Sequence, residues 1–433
     1  MTLFLLTLVS LYAYTFWLLA VRWKFQRKCD RIQWRIHVNG IRGKSTVTRY
    51  VAAVFRASNY HTFGKTTGSA ARILRPDGKD YDFGRKGYPN VNEQIEILKG
   101  FCRQRAEVVV MECMAVNPLY AQWLEEKVMR SHINIITNVR YDHPEYLGET
   151  LEEIAESLSK TIPRNGILIT AETEPRLLKI LAQNAKNKNA RILVAARQAI
   201  SPQDLAGFSH FAIEDNVAIG YEIAKLLKLP QDKALRAMQQ AVADPGAFSI
   251  QLLEFELNHI AWANLFAVND RESFVDLSHK LFKQYADYEK VVILNNRHDR
   301  PTRVKVFADL ARELQFDRVV TFGDYEQVVN KAFSDDSNKS NKVVNLGNSS
   351  KFKDAAAIEI LKQIVRFTKL PKILLIGTVN IHTPQAERLL HFFERLCKPR
   401  GEHSLPTPAA SETHSTSHRK HSSGRQKAYV GKS

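Results

Sequence analysis

Hydrophobic residues form one long uncharged run at the start of the chain and shorter runs after it. Residues 1–21 carry no charged side chain, and six Lys and Arg residues follow within residues 22–35. About twenty apolar residues span a bilayer core as a helix. The run has no basic start and no small-residue cleavage site, unlike a cleaved signal peptide. By the positive-inside rule we expect a transmembrane anchor over residues 1–22, with the rest of the chain in the cytoplasm. A buried core helix is the alternative.

Short β-branched runs alternate with helix-like segments over the next two hundred residues. The strand-like runs are 34–38, 107–111, 133–137, 166–170 and 191–194. The helix-like segments are 46–57, 91–103, 151–161, 216–227 and 231–241. Apolar strands separated by crossover helices are typical of a buried parallel sheet. We therefore predict a P-loop-containing α/β domain over residues 23–246.

A second alternating set follows the break at Asp244-Pro245-Gly246. Its strand-like runs are 260–268, 291–295, 318–322 and 373–377, with helices over 303–314 and 355–368. A Pro-Gly pair between two such sets favours a domain boundary. We predict a Rossmann-like α/β domain over residues 247–398. Residues 399–433 are rich in Ser, Thr, His and basic residues, which predicts a disordered tail.

The basic charge of the chain lies largely at its two ends. The formal net charge is +17, but residues 22–35 and 400–433 contain more than half of this excess. That distribution argues against nucleic-acid binding by the body of the chain. The four cysteines have no zinc-site spacing and fit a reducing compartment.

A glycine-rich segment between the first strand-like run and the next helix is the strongest chemical signal. Gly40, Gly43, Lys44 and Ser45 form a GxxGK[ST] core. Such a turn directs backbone N–H groups at phosphates, the lysine reaches the outer phosphates, and the hydroxyl can bind Mg²⁺. The full P-loop pattern places glycine where this chain has Val38, so this is the short form. We predict that this loop binds the phosphates of a nucleotide, with Ser45 as a candidate Mg²⁺ ligand.

Two further positions follow predicted strands directly. Glu112 ends the run 107–111, and Asp142-His143 comes after the run 133–137. Ligands bind at the carboxyl ends of strands in open α/β sheets. We expect Glu112 to hold Mg²⁺ and His143 to bind a metal. A local ion pair for Glu112 and an ordinary polar role for His143 are the alternatives.

A second glycine-containing segment, Gly64-Lys65-Thr66-Thr67-Gly68, lacks the upstream glycine of a phosphate loop. We interpret it as either a substrate loop or a plain turn. In the second domain, Asp299, Arg300 and Arg303 follow the run 291–295. Arginines there could bind phosphate across a cleft, and a solvated charged loop is the alternative.

Together these motifs resemble the Mur ligase superfamily of ATP-dependent amide ligases. They resemble most closely its branch of poly-γ-glutamate synthase ligase subunits (PgsB/CapB type). The similarity rests on a membrane span, Asn39–Arg49, Gly64–Gly68 with Ala71-Arg72, Glu112–Pro118 and Asp244–Ala247.

The resemblance implies a set of site residues. It assigns ATP binding to Asn39, Gly40, Gly43, Lys44, Ser45, Thr46, Asn216, Asp299 and Arg300. It assigns metal binding to Ser45, Glu112 and His143, and catalytic roles to Lys44, His143 and Arg303. Many Mur ligases carry a carbamylated lysine fourteen residues after the motif histidine, where this chain has Ser157, with Lys160 three residues on. The resemblance therefore leaves open whether a carbamylated lysine is used.

The function implied by the resemblance is ADP-forming ligation of glutamate units through an acyl phosphate, with ATP and Mg²⁺. It also implies a growing poly-γ-glutamate chain as substrate and membrane-embedded synthase or export subunits as partners. We expect a single-pass protein of the cytoplasmic membrane that serves capsule formation. A membrane-anchored P-loop ATPase or kinase without amide-bond formation is the alternative.

Overall fold

Two β-sheets with helices on their faces organise the chain. The computed structural model describes residues 2–67, 71–84, 90–208, 210, 212–243, 248, 250–266, 268, 270–334, 342–347, 356–380 and 383–396. The predicted boundary at Asp244–Ala247 and the tail 399–433 lie outside these residues.

The first sheet has eight strands in the order β4-β3-β2-β5-β1-β6-β7-β8. Its strands are β1 (Trp34–Asn39), β2 (Thr62–Thr66), β3 (Arg72–Leu74), β4 (Asp80–Asp82), β5 (Val108–Glu112), β6 (Ile133–Ile136), β7 (Ile167–Thr170) and β8 (Arg191–Val194). Strands β2, β5, β1, β6, β7 and β8 are parallel, and β3 and β4 extend the sheet antiparallel. The parallel-sheet prediction is confirmed.

Ten α-helices are present in the described residues up to position 243. They are α1 (Thr2–Cys29), α2 (Lys44–Ala57), α3 (Val91–Arg103), α4 (Pro118–Leu124), α5 (Pro144–Leu147), α6 (Leu151–Leu158), α7 (Pro175–Asn187), α8 (Pro202–Ala206), α9 (Glu214–Leu226) and α10 (Gln231–Gln239). A π-helical turn, Glu125–Met129, continues α4.

Helix α2 shows why these segments become helices that pack on the sheet. Its buried Val47, Tyr50, Val51, Val54 and Phe55 recur at intervals of three and four residues. That spacing places them on one helical face. They share a core with buried residues of β1 and α9, so α2 lies against the strand that precedes it.

The second sheet has six strands in the order β13-β12-β11-β14-β10-β9. They are β9 (Ile250–Phe255), β10 (Asn258–Leu265), β11 (Glu289–Asn296), β12 (Arg318–Gly323), β13 (Val343–Asn345) and β14 (Lys372–Thr378). Its helices are α11 (Arg271–Gln284), α12 (Pro301–Glu313), α13 (Glu326–Ala332), α14 (Ala357–Arg366) and α15 (Pro384–Leu396). Only β9 pairs antiparallel among the described strand pairs of this sheet.

Helix α1 is longer than the predicted anchor. The apolar run was expected to end at residue 22, but the helix continues to Cys29. Its candidate span, Phe4–Cys29, has a mean hydropathy of 1.9, and none of its most apolar stretch is buried in the protein. Its last residues do have a core environment, because Phe25 and Cys29 pack with α3. The basic residues after position 21 did not end the helix, since lysine and arginine are good helix formers.

Candidate active site

Three loops meet where the central strands of the first sheet end. Strand β1 lies between β5 and β6, with Val38 paired to Glu112 and Asn39 paired to Ile136. Parallel strands in register end at the same edge, which is where open α/β sheets bind ligands. The glycine-rich loop, Glu112 and the segment leading to His143 are therefore brought together.

The glycine-rich loop needs its two glycines. Gly40 and Gly43 have φ angles of 117° and 79°, in the region that favours glycine. A Cβ at Gly43 would lie 2.5 Å from Oδ1 of Asn216, and one at Gly40 would overlap Thr137. The loop is thus packed closely against α9 and the end of β6, and α2 begins at Lys44.

Lys44 lies in the first turn of α2 with its ammonium group folded back on the loop. Nζ donates hydrogen bonds to the carbonyl oxygens of Gly40 (2.8 Å) and Ile41 (3.2 Å). Burial lowers the pKa of Lys44, and the charge of Arg42 acts in the same direction while Glu112 opposes it. A cation held over backbone carbonyls at a helix N-terminus is suited to phosphate oxygens.

Ser45 and Glu112 place a hydroxyl group and a buried carboxylate side by side next to the glycine-rich loop. The Ser45 hydroxyl donates to Oε2 of Glu112 at 2.8 Å, and the N–H of Thr67 donates to the same oxygen at 2.7 Å. Gln94 of α3 donates to the Glu112 carbonyl at 2.9 Å. Mg²⁺ is commonly bound by one or two carboxylates together with substrate phosphates, so a buried carboxylate beside a hydroxyl and the P-loop fits this ion.

A cavity of about 280 Å³ lies at this edge of the sheet. Its lining brings together predicted residues from three loops, namely Asn39, Gly40, Lys44, Glu112 and His143. Cys113, Met114, Ala115 and Val116 form a further wall. These five predicted phosphate and metal residues therefore share one cavity, whereas Gly43, Ser45 and Thr46 are not part of its lining.

His143 borders the cavity at the start of α5. Its φ of 49° is in the left-handed region, and its backbone N–H donates to Asp142 at 3.1 Å. Nδ1 lies 3.2 Å from the Glu145 carboxylate. One ring nitrogen is thus oriented by a carboxylate, an arrangement that metal-binding histidines use. Within the described residues, no group of three His, Cys, Asp or Glu side chains is close enough to hold a metal unaided.

Arg42 connects the P-loop to the second sheet. Its Nε donates to Oδ2 of Asp270 at 2.6 Å, and its Nη2 lies 3.5 Å from Asp142. The other Asp270 oxygen accepts the N–H of Ser273 at 2.9 Å and caps α11. This single carboxylate thus joins the start of a helix in the second half to the phosphate loop.

A second cavity of about 320 Å³ lies between the two halves beside Gly43. Asn216 and Asp215 of α9 line one side, and Asp276 and Lys280 of α11 line the other. Lys280 also bonds to Glu214 at 3.0 Å. Burial raises the pKa of Asp215, against the nearby cations Arg197 and Arg140. Asn216, which the resemblance assigns to ATP binding, thus lies next to the glycine-rich loop in a polar cleft.

The predicted residues of the second half lie at the start of α12. Arg303 is partly buried and its Nη1 is 3.4 Å from Oδ1 of Asn380. Burial lowers the pKa of Arg303, and among the neighbouring charges Arg300 also lowers it while Asp142 raises it. Asp299 is exposed and forms hydrogen bonds of 2.9 and 2.8 Å with Arg297. None of the three residues Asp299, Arg300 and Arg303 lines either cavity described above.

Thr46 and Ser157 occupy less direct positions. Thr46 is half-buried in the first turn of α2. Ser157 occupies the position at which many Mur ligases carry a carbamylated lysine. It lines the cavity, and its hydroxyl group donates to the Leu147 carbonyl at 2.7 Å.

The interpretation of residues 64–68 as a loop or turn was wrong for Gly64–Thr66, whereas Thr67 follows the strand and lines the active-site cavity. Thr62–Thr66 form the buried strand β2, and Gly68 lies outside the described residues. Lys65 is fully buried and pairs with Glu93 of α3 at 2.6 Å. A buried lysine is tolerated in this strand because the carboxylate of Glu93, which comes from a different segment of the chain, neutralises its charge.

A buried charge network beneath the loop was not anticipated. His37 in β1 has no exposed surface, and its Nδ1 is 2.9 Å from Oε2 of Glu125. Glu125 also accepts the N–H and the hydroxyl of Ser131 at 2.8 and 2.9 Å. Burial disfavours the charged imidazole, but Cys113 and Glu125 together raise the pKa of His37 to about 10.

Several residues of the site carried no signal that sequence reasoning used. Gln94, Arg42, Asp270 and Lys280 owe their positions to contacts between distant segments. The Arg42–Asp270 pair is separated by 228 residues. Among them Asp270 does carry a sequence signal, because it comes shortly after the strand-like run 260–268 and therefore near the carboxyl end of a strand.

A larger cavity of about 580 Å³ lies in the second half of the chain, at the edge of the sheet where the parallel strands begin. It surrounds Glu289 and Arg318, the first residues of β11 and β12, which pair at 3.0 Å. Because their charges neutralise each other at the amino ends of strands, we do not assign the chemistry to this cavity.

Two family models match the chain. The Mur ligase middle domain matches residues 38–212, and the poly-gamma-glutamate synthase CapB C-terminal domain matches residues 250–396.

Two curated relatives are similar over most of their length. The capsule biosynthesis protein CapB of Bacillus anthracis is 34% identical over 71% of this chain and 67% of its own. The PGA synthase CapB of Bacillus subtilis (strain 168) is 31% identical over 83% of this chain and 90% of its own.

Solved structures of folylpolyglutamate synthases share the fold. Escherichia coli FolC in complex with DHPP and ADP has a TM-score of 0.58 and 12% identity, covering 86% of this chain and 91% of its own. The bifunctional folylpolyglutamate synthase/dihydrofolate synthase of Yersinia pestis, complexed with AMPPNP and Mn ion, has a TM-score of 0.54 and 14% identity, covering 86% and 92%. At such identities the similarity establishes the fold alone.

Proposed function

Because this chain belongs to the CapB family of poly-γ-glutamate synthases, we propose that it joins glutamate units through γ-amide bonds in an ATP-dependent, ADP-forming reaction. The observation that supports this most is the single cavity in which Lys44, Glu112 and His143 meet. Phosphate-binding, metal-binding and acid–base groups at one sheet edge suit the activation of a carboxylate.

The chemistry follows from the poor reactivity of a carboxylate towards an amine. An oxygen of the γ-carboxylate attacks the γ-phosphorus of ATP, and ADP leaves. The amine of another glutamate then attacks the acyl carbon, and phosphate leaves from the tetrahedral intermediate. Both steps concentrate negative charge, so the protein contributes mainly positioning and charge stabilisation.

The P-loop residues would hold the nucleotide phosphates. The backbone N–H groups at the start of α2, around Gly43, Ser45 and Thr46, would bind phosphate oxygens, and Lys44 would add a positive charge. Asn39 and Gly40 form the wall on the β1 side, where Asn39 donates to Thr161 at 3.1 Å. Asn216 would contact the base, since it lines the adjoining cleft beside Gly43.

The metal-binding role belongs to Ser45 and Glu112, with His143 on the far side of the cavity. Bound Mg²⁺ supplies charge neutralisation at the phosphates. The N–H of Thr67 and the side-chain amide of Gln94 hold Glu112 in place through hydrogen bonds to its carboxylate and its backbone carbonyl. The His143 ring is kept in orientation by Glu145.

We also propose that the two sheets are two domains, residues 23–246 and 247–398. Closure of the second on the first would bring Arg303, Arg300 and Asp299 towards the phosphates and exclude water. The influence of the Asp142 charge on Arg303 supports this direction of closure.

We further propose that α1 anchors the protein in the cytoplasmic membrane, with the catalytic part in the cytoplasm. Its exposed apolar surface supports this. A polymer made there and destined for the capsule requires membrane-embedded subunits for export, and we propose these as partners.

A hydroxylamine trap tests the ligase function. Full-length protein in membranes is incubated with ATP, Mg²⁺, glutamate and hydroxylamine. An acyl phosphate is intercepted as γ-glutamyl hydroxamate, with one ADP released per hydroxamate. Each glutamate enantiomer is assayed separately.

Two other results would contradict the proposal. ATP turnover that is indifferent to glutamate indicates an ATPase that serves assembly. Transfer of phosphate to a product that is stable to hydroxylamine indicates a kinase.

A further inference from the structure

Two cysteines far from the proposed active site touch each other. The Sγ atoms of Cys29, the last residue of α1, and Cys102, in the last turn of α3, are 3.6 Å apart. They are separated by 73 residues of sequence. Cys29 is completely buried, whereas Cys102 is partly exposed. Solvent therefore reaches this pair from the Cys102 side.

The packing around Cys29 holds the pair in place. Nη1 of Arg35 donates to the Cys29 carbonyl at 2.7 Å, and Nε of Arg35 donates to the Met129 carbonyl at 2.9 Å. Cys29 also belongs to the core formed with Ile97 and Phe101 of α3. The sulfur contact is thus a feature of two helices that are packed together. A disulfide bond requires the sulfurs to approach by about 1.5 Å more.

The two thiols differ in reactivity. A hydrogen bond from Cys29 lowers the pKa of Cys102, against the effect of burial, and the cations Arg35 and Lys28 lower it further. The thiolate is the form that reacts with oxidants. Cys102 is therefore the attacking sulfur, and the enclosed Cys29 is placed to resolve its oxidised form.

We propose that Cys29 and Cys102 form an oxidation site that reacts with peroxides and closes to a reversible disulfide between α1 and α3. In the first step the Cys102 thiolate attacks one peroxide oxygen, the O–O bond breaks, and hydroxide leaves. The sulfur is oxidised by two electrons to a sulfenic acid. Cys29 then attacks that sulfur, its proton leaves with the hydroxyl group as water, and the S–S bond forms. The sum is two thiols and hydrogen peroxide giving one disulfide and two waters.

The site connects the predicted anchor with the element that supports Glu112. Helix α3 carries Glu93, which pairs with Lys65, and Gln94, which donates to the Glu112 carbonyl. A disulfide at its other end would tie this helix to the end of α1. The inference does not depend on the proposed ligase activity, since its test reads only the state of the thiols.

Peptide mapping tests the proposal. Full-length protein in membranes is treated with hydrogen peroxide, its remaining thiols are alkylated, and it is digested with trypsin. We expect a peptide that joins residues 29–31 to residues 100–103, from chains that migrate as monomers, and its loss after reduction with dithiothreitol. With Cys29→Ala, the sulfenic acid at Cys102 persists and is labelled by dimedone. With Cys102→Ala, Cys29 remains reduced.

Other results would overturn it. If Cys29 and Cys102 are both alkylated after treatment while Cys113 or Cys397 is oxidised, the site is not where we place it. If residues 29–31 are joined to residues 100–103 only in chains that migrate as dimers, the bond is between molecules. Circular dichroism of each alanine variant shows whether it is folded before its thiols are compared.

Discussion

At the scale of single residues, the site depends on groups whose charge is set by their neighbours. Lys44, His37 and Lys65 are all cations placed within or against buried structure. The positive charge of each is opposed by a neighbouring carboxylate, that of Glu112, Glu125 and Glu93 respectively. A buried charge that loses its partner destabilises the protein. The direction of the effect of a substitution at these positions can therefore be predicted.

Replacement of Lys44 tests the phosphate-binding role. We expect Lys44→Ala to lower glutamate-dependent ADP release by at least about 100-fold, because a preorganised group that stabilises the transferring phosphoryl is lost. ADP release is measured on membranes with a coupled assay. Lys99→Ala is the matched control, since Lys99 is exposed, forms a surface ion pair with Glu96 and does not line the proposed active-site cavity. Full activity in Lys44→Ala would contradict the assignment.

The His37–Glu125 pair predicts a pH dependence of stability. The pKa of His37 is raised to about 10 from an ordinary value of 6.5. A raised pKa in the folded state stabilises the protein fully below pH 6.5, and this contribution is lost as the pH rises through 10. We expect the free energy of unfolding to fall over that range and His37→Gln to remove this slope.

The measurement for His37 is urea unfolding in detergent at several pH values. At pH 6 we expect His37→Gln to be less stable by about 3–5 kcal/mol, the usual cost of breaking a buried pair. His259→Gln is the control, because His259 is more than half exposed. An unchanged slope in His37→Gln would show that His37 is not protonated in the folded protein.

At the scale of elements, Asp270 has two roles: it caps a helix and it forms a contact between the two halves of the chain. One of its oxygens caps α11 through Ser273, and the other bonds to Arg42 of the P-loop. Asparagine is as good an N-cap as aspartate but carries no charge. The two functions of one side chain can therefore be removed one at a time.

We expect Asp270→Asn to keep the stability of the protein and to raise the KM for ATP by about tenfold, as loss of roughly 1.4 kcal/mol implies. Asp270→Ala should raise KM similarly and also cost about 1 kcal/mol of stability through the lost cap. Steady-state kinetics and urea unfolding measure the two effects. Asp287→Asn, at an exposed pair with Lys372, is the control. If KM is unchanged in both Asp270 variants, the Arg42 contact has no part in nucleotide binding.

At the scale of the whole molecule, α1 joins an exposed apolar helix to a packed body. Its 28 residues extend about 42 Å as a helix, more than the roughly 30 Å of a bilayer core. The excess lies at the Cys29 end, which packs with α3. The helix is therefore continuous from the proposed membrane span into the core of the first sheet.

Removal of residues 2–22 tests the anchor. We expect the full chain to stay in the membrane pellet after a carbonate wash and the shortened chain to be recovered in the supernatant, because the exposed apolar surface is lost. Immunoblots of both fractions give the distribution. Continued pelleting of the shortened chain after the wash would indicate attachment through another surface or a partner.

The order of the elements and the position of the phosphate loop were predictable because their signals are local. The three- and four-residue spacing in α2, the β-branched runs of β1 and β6, and the glycines at 40 and 43 each act over a few residues. Strands β2, β3, β4, β9 and β13 were missed, and three of them, β3, β4 and β13, are only three residues long. Strand β2 contains Lys65, and the edge strand β9 alternates half-buried with exposed residues, so neither shows a continuous apolar run.

The sequence by itself determined that this is a parallel α/β protein with a P-loop, strand-end groups at Glu112 and His143, and one long apolar helix. Periodicity and glycine conformation are properties of short segments and can be read without a fold. Only the tertiary structure decided which distant groups meet: Arg42 with Asp270, His37 with Glu125, Lys65 with Glu93, and Cys29 with Cys102. Those pairs form because the packing of helices on the sheets brings together side chains far apart in the chain, and no short segment encodes a partner at such a separation.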